Sequence, residues 1–403
     1  MTATVPPSAS TGAPLRPGFD PETDPELLAH HRETWNRFRE ETPIFRSDFA
    51  GPYDVFFLMR YEDNLHALQD WETFSSSSVI AFDQPHQQMI PEELDPPEHT
   101  KYRRTLTAPF APNAVRARES EIRELCVELI EGFQAQGAGD FRHEFAEKFP
   151  TTVFLRMVGL PVEQRDAFID RAHRALRTAH AEDPDGSIRQ TAAAEIVGDF
   201  AAVIEARKVQ PRDDIISHVL AQEIDGERIG DLQFYAMGFL LYIAGLDTVA
   251  NILTYSFKHL AENPGLRQML IQKPEMIPDA VEEFLRFYSI ATGARVITKD
   301  TELGGVAMKA GDRLMYCTAA AGRDPEQFPD PDTFIPDRSP NRHLAFGAGP
   351  HRCVGSHLAR LELRIALEEW HKRIPDYRIP EGAEITEFVG SVAGLSGLPL
   401  EWD

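Results

Sequence analysis

Cysteine is scarce in this chain, with 3 in 403 residues: Cys126, Cys317 and Cys353. So few, so widely spaced, they cannot build a disulfide framework, and they fit no structural zinc site. A reducing, cytoplasmic setting suits them best. Long apolar runs are missing too. The strongest, residues 236–246, falls short of the ~20 residues that span a bilayer. The first 17 residues are rich in Thr, Ser, Ala and Pro and lack the basic start and apolar core of a signal peptide. Their composition predicts a disordered tail over residues 1–20. Positive charge is in deficit: 41 Lys and Arg face 64 Asp and Glu, a net charge of −23. Such a surface repels phosphate backbones and anionic membranes, so neither a nucleic acid nor a membrane is expected as partner. Repeats and long linkers are absent, and residues 21–403 read as one domain, by default a monomer.

What is present is an ordinary globular balance, 42% hydrophobic and 26% charged residues. A chain of this length buries roughly three quarters of its unfolded surface, enough to enclose a deep apolar pocket. Apolar residues recurring every third or fourth position predict helices over 25–41, 119–136, 141–158, 163–180, 187–208, 264–273, 277–288 and 355–373. Short β-like runs fall at 53–59, 294–297 and 313–317, and the tail 385–400 reads as hairpin strands. The stretch 75–97 is polar and bounded by proline, hence loop with room for one short helix. Residues 231–262 contain no proline and predict one helix of roughly 45 Å. Its middle, Phe239-Leu240-Leu241-Tyr242-Ile243-Ala244, is apolar on every face and belongs at the centre of the fold. The expected class is mainly α with minor β.

The most informative stretch is Phe346-Gly347-Ala348-Gly349-Pro350-His351-Arg352-Cys353-Val354-Gly355. Its glycines permit tight turns and close approach to something flat. Cys353 stands just before a helix, whose free N–H groups and positive end favour a thiolate. A thiolate in a glycine-lined loop is a good axial ligand for haem iron. The stretch satisfies F-x-x-G-x-x-x-C-x-G at every fixed position, and here the sequence resembles the cytochrome P450 family. That resemblance implies the P450 fold, with haem b buried between the long central helix and the Cys353 loop. Phe346 and Gly349 of the loop, with Ala244 and Gly245 of the helix, would then lie against the haem.

Further segments match. Ala244-Gly245-Leu246-Asp247-Thr248 is similar to the family's oxygen-activation sequence. A buried Thr can hydrogen-bond the carbonyl four residues back, here Ala244, and open the helix locally. Gly245 would leave room for a small ligand. Asp247 puts a carboxylate into an apolar run, which is costly unless it is paired or functional. The resemblance implies that Thr248 and Asp247 are catalytic and manage protons for bound dioxygen. It also matches His99, Arg103, Arg295 and His351 to the haem propionates. Glu283 and Arg286, one helical turn apart, would form a structural pair completed by Arg338.

The resemblance runs from about residue 25 to the end and is strongest to soluble bacterial members near the camphor hydroxylases. It implies single electrons from a [2Fe–2S] ferredoxin, itself reduced by an NAD(P)H-dependent ferredoxin reductase. Arg104, Arg116, Arg338, Arg342 and Arg352 are its candidate docking contacts. The substrate, taken with O2, would be small, hydrophobic and terpenoid-like, lined by Val79, Leu240, Ile243, Ala291 and Val392. Camphor hydroxylases hydrogen-bond their substrate ketone through a Tyr. Here residues 84–89 contain none, and an ungapped count puts Gln87 or its neighbours at that place. A terpenoid ketone, ether or alcohol fits Gln87, and an aromatic or fatty substrate stays open. The competing functions are a peroxide-driven peroxygenase and a non-catalytic haem protein.

Overall fold

A computed structural model describes residues 12–81, 86–178 and 182–403. Residues 1–11, and Gln84 and Pro85 of the loop considered above, lie outside the described residues. The disordered tail expected over residues 1–20 does not extend through its second half. Leu15 bridges Arg46, and Phe19 is buried against Trp35, Phe38, Phe45 and Phe57. One phenylalanine with four aromatic neighbours outweighs the polar composition around it.

The architecture is mainly helical, with a five-stranded sheet at one side. Its order is Ile44–Ser47, Val55–Leu58, Arg313–Cys317, Thr292–Ile297, Phe74–Ser75. Val55–Leu58 is buried at all four positions, because helices and aromatic side chains cover both faces of the sheet there. The larger core is built by helices Glu119–Phe133, Lys148–Val158, Ser187–Val209, Asp231–Leu246, Thr248–Glu262, Ile277–Phe287 and Ser356–Arg373.

Several predicted helices are interrupted where a side chain or an extra residue intervenes. The helix expected over 25–41 is Pro25–Ala29, capped by Asp24 on Leu27 N–H at 2.8 Å, then His31–Glu41. The one expected over 141–158 opens with a π-turn, Arg142–Ala146, before Lys148–Val158, and Gly159 ends it at φ 97°. The central helix breaks at Asp247, φ −112° and ψ −30°. There Thr248 Oγ1 donates to Ala244 O at 3.0 Å and competes with the backbone ladder. By length and composition the segment Asp231–Glu262 could cross a membrane. Most of its apolar window is buried inside the protein, as a core helix should be. Of the C-terminal strands, Glu387–Phe388 and Gly394–Leu395 form the expected hairpin. Pro399–Trp402 instead pairs with Tyr377–Arg378 and with Ala138–Asp140, far away in sequence.

Buried histidines make this fold sensitive to acid. Burial holds His31 and His371 at about 3 and His259 at about 4. A histidine depressed on folding stabilises the native state above its unfolded pKa, about 6.5, and loses that as pH falls toward the folded value. Chemical denaturation is therefore expected to show stability declining below about pH 6.5, by up to about 1.4 kcal/mol per unit for each histidine. A stability flat between pH 7 and pH 5 would contradict this.

Candidate active site

The Cys353 loop is closed by its own backbone. Gly347 N–H donates to Leu344 O at 2.8 Å, and Cys353 N–H to Phe346 O at 2.9 Å. Gly347 and Gly349 hold φ of 64° and 67°, the left-handed region that a side chain disfavours. A Cβ on Gly349 would overlap Leu68 O, so this glycine is required by protein backbone rather than by a cofactor. Within this packed loop Cys353 is exposed. The expectation that the helix start alone favours a thiolate is not met. The helix begins only at Ser356, and desolvation by the loop on one side of the accessible thiol raises its pKa against the opposing Gly355 N–H and Arg103 charge. Ligation itself deprotonates a coordinating thiol.

On the central helix Ala244 is exposed between half-buried Ile243 and Gly245, while Tyr242 and Leu246 to either side are buried. Gly245 does not leave room for a ligand as expected: a Cβ there would overlap the Phe154 ring. The glycine serves helix packing, and Ala244 is the open position. Asp247 is 1% exposed and ion-paired with Arg142, at 3.1 Å, and with Arg177. Asn251 Nδ2 donates to it at 3.1 Å. Burial alone would push the Asp247 carboxyl up, but the Arg177 and Arg142 charges hold it below the ordinary range. The sequence reading missed Arg142 and Arg177, which stand far from Asp247 along the chain, and Asn251, one turn on.

The four basic residues assigned to propionates gather in one place. His99 and His351 face each other with ring centroids 4.2 Å apart. All four of their ring nitrogens are buried without a hydrogen-bond partner. Arg295 is 2% exposed, and Arg103 donates to Arg352 O. Glu92, also missed, lies 3.8 Å from Arg295 Nη2 and 3.7 Å from His351 Nδ1. Buried polar atoms left unpaired are costly, so a cluster of orphaned imidazoles beside the buried Arg295 and half-buried Arg103 fits a group that brings carboxylates. Haem has two. Cys353 and Ala244 provide the exposed sulfur and the bare helix face such a flat group needs.

Ala291 and Val392 are joined by an isolated β-bridge, and Val79 O accepts Ala294 N–H at 3.1 Å. Val79, Leu240, Ile243 and Val392 border the same core cluster as Phe346 of the loop. Gln87 is half-buried, its amide donating weakly to Gln88 O at 3.5 Å. Near the loop, Glu283 accepts from Arg286 at 2.7 Å and from Arg338 at 3.1 Å, all buried. Arg338 therefore cannot also be a docking contact on the surface. Arg104, Arg116, Arg342 and Arg352 are exposed.

Comparison with known proteins decides the family. The family model for cytochrome P450 matches residues 28–370. The chain belongs to the cytochrome P450 family. It is 35% identical over 368 residues to a probable cytochrome P450 127A1 of Sinorhizobium fredii, covering 89% of this chain and 87% of that one. It is 32% identical over 374 residues to a steroid C26-monooxygenase of Mycobacterium tuberculosis, covering 92% and 93%. The solved bacillaene polyketide synthase P450 PksS of Bacillus subtilis superposes with a TM-score of 0.87 at 30% identity, covering 96% and 100%. This P450 is thus a monooxygenase with haem b as cofactor. When bound, haem supplies the one-electron and dioxygen chemistry. Cys353 would ligate it, and His99, Arg103, Arg295 and His351 would neutralise its propionates.

Proposed function

We propose that this P450 hydroxylates a small, hydrophobic, terpenoid-like substrate with electrons from NAD(P)H, passed through a ferredoxin reductase and a [2Fe–2S] ferredoxin. One oxygen atom of O2 enters a C–H bond. The other leaves as water, with two electrons and two protons consumed. The observation that carries this reading is the Thr248–Ala244 hydrogen bond beside a buried, ionised Asp247. That pair offers a hydroxyl and a carboxylate that can relay protons, which oxygen activation needs and a peroxide-driven enzyme does not. Val79, Leu240, Ile243, Ala291 and Val392 supply the apolar lining, and Gln87 the single polar contact. Exposed Arg104, Arg116, Arg342 and Arg352 suit an acidic electron carrier that docks on the Cys353 side. A cytoplasmic monomer is consistent with this chemistry.

Thr248→Ala tests the reading in a system reconstituted with ferredoxin and reductase. NADH consumption should persist while the product formed per NADH falls about tenfold, the remaining electrons leaving as hydrogen peroxide. Unchanged coupling would remove Thr248 from catalysis. Peroxide-supported turnover equal to the ferredoxin-supported rate, in wild type and variant alike, would favour the peroxygenase.

A further inference from the structure

Three acids stand close together on the segment that leads into the His99 helix, and their partners differ. Glu93 accepts Met89 N–H at 2.9 Å and pairs with His86 at 2.6 Å. Asp95 accepts from the Ser75 hydroxyl and from Ser76 N–H at 2.9 Å. Both hold their own loop in place. Glu92 does not. Its oxygens lie 3.8 Å from Arg295 Nη2 and 3.7 Å from His351 Nδ1. Among the described residues it is the one acid within ion-pairing distance of either. The turn that carries it is fixed, since Glu93 N–H donates to Met89 O at 2.8 Å and Leu94 N–H to Pro91 O at 3.1 Å.

Glu92 thus puts a carboxylate among the cations assigned above to the haem propionates, where the charges can be counted. Arg103 and Arg295 are permanently charged. Burial, with the charges of His351 and Arg103, holds His99 at about 4, so it is neutral near pH 7. His351 adds a charge only when protonated. Two guanidinium groups match two propionates, and Glu92 is a third carboxylate. Burial would push its carboxyl up, but His351 and Arg295 hold it below the ordinary range, so it is ionised. Like charges gathered in a partly desolvated site repel far more strongly than in water. The Glu92 side chain is 28% exposed, so packing alone does not demand a charge at this position.

We propose that Glu92 is a built-in competitor of the haem propionates for Arg295 and His351, a fixed charge that loosens the cofactor and lowers its reduction potential. A propionate that pairs with Arg295 must share that guanidinium with Glu92. Arg103 offers little relief, because it also donates to Arg352 O. Reduction adds negative charge at the iron, and a fixed anion beside the propionates opposes it. Glu92→Gln removes the charge at nearly constant size.

The proposal rests on reading this cluster as the propionate site and is independent of Asp247 and Thr248. Its test uses the full-length, haem-loaded enzyme and needs no turnover. Transfer of haem to excess apomyoglobin gives the rate of haem loss, and a dye-coupled titration gives the reduction potential. Glu92→Gln is expected to slow haem loss about tenfold and to shift the potential upward. Arg295→Gln should act in the opposite sense and speed haem loss about tenfold. Haem loss in Glu92→Gln that is unchanged or faster, or a potential that stays or falls, would overturn the competitor. With Arg295→Gln still faster, the propionate site would stand and Glu92 would be a structural partner of Arg295. Arg295→Gln at the wild-type rate would overturn both. If Arg295→Gln cannot be isolated with haem, Arg103→Gln takes its place. A Glu92→Gln protein that takes up less haem than wild type on expression also refutes the proposal, since that variant should hold the cofactor more tightly.

Discussion

Cys353→Ser is expected to abolish the thiolate-specific Soret band of the reduced carbon-monoxide complex and to reduce product formation to background. The side chain is exposed within a loop that is otherwise closed by backbone hydrogen bonds, so the substitution should leave the loop intact. Serine is nearly the same size, and what changes is the donor. A serine hydroxyl holds its proton at neutral pH and is a poor ligand for iron, whereas a ligated cysteine gives up its proton. Retention of the thiolate band would refute Cys353 as the ligand. The two remaining cysteines cannot substitute, because Cys126 and Cys317 are buried and burial pushes their thiols far up, that of Cys317 to about 12.

Glu283→Gln should produce the largest loss of stability. Glu283 and Arg286 are 0% exposed and the Arg338 side chain 5%. The carboxylate also accepts Ile335 N–H at 2.9 Å and Asn341 Nδ2 at 3.1 Å. Removing its charge leaves two buried guanidinium groups facing only the carbonyls of Gly322, Pro331 and Thr333 and of Pro329 and Asp330. Breaking a buried pair in this way costs about 3–5 kcal/mol, against at most about 1 kcal/mol for an exposed one. Urea denaturation followed by circular dichroism measures the difference. Haem occupancy should fall as well, since Asn341 and the Cys353 loop belong to one continuous segment. A loss below about 1 kcal/mol would mean that the cluster behaves as surface charge.

The sequence by itself determined the family and most of the helices. These depend on local pattern: a ten-residue loop, a run of apolar residues, a Thr placed four residues after Ala244. Even the Glu283–Arg286–Arg338 cluster was legible, because one helical turn and one motif position sufficed. Local pattern failed where a distant partner decided the outcome. Gly245 reads as space for a ligand until Phe154 is seen against it. Gly349 reads as room for a flat cofactor until Leu68 O fills that side. Phe19 reads as part of a tail until four aromatic rings surround it.

The charge on Asp247 shows the same division. From sequence it is an expensive carboxylate in an apolar helix. Asn251 stands one helical turn on, but only the tertiary structure supplies Arg142 and Arg177, and behind them Glu147 with its two histidines. A charge can be buried only where other elements bring opposite charge and hydrogen bonds to it. Those elements stand tens of residues away in sequence, so packing alone determines which side chains meet.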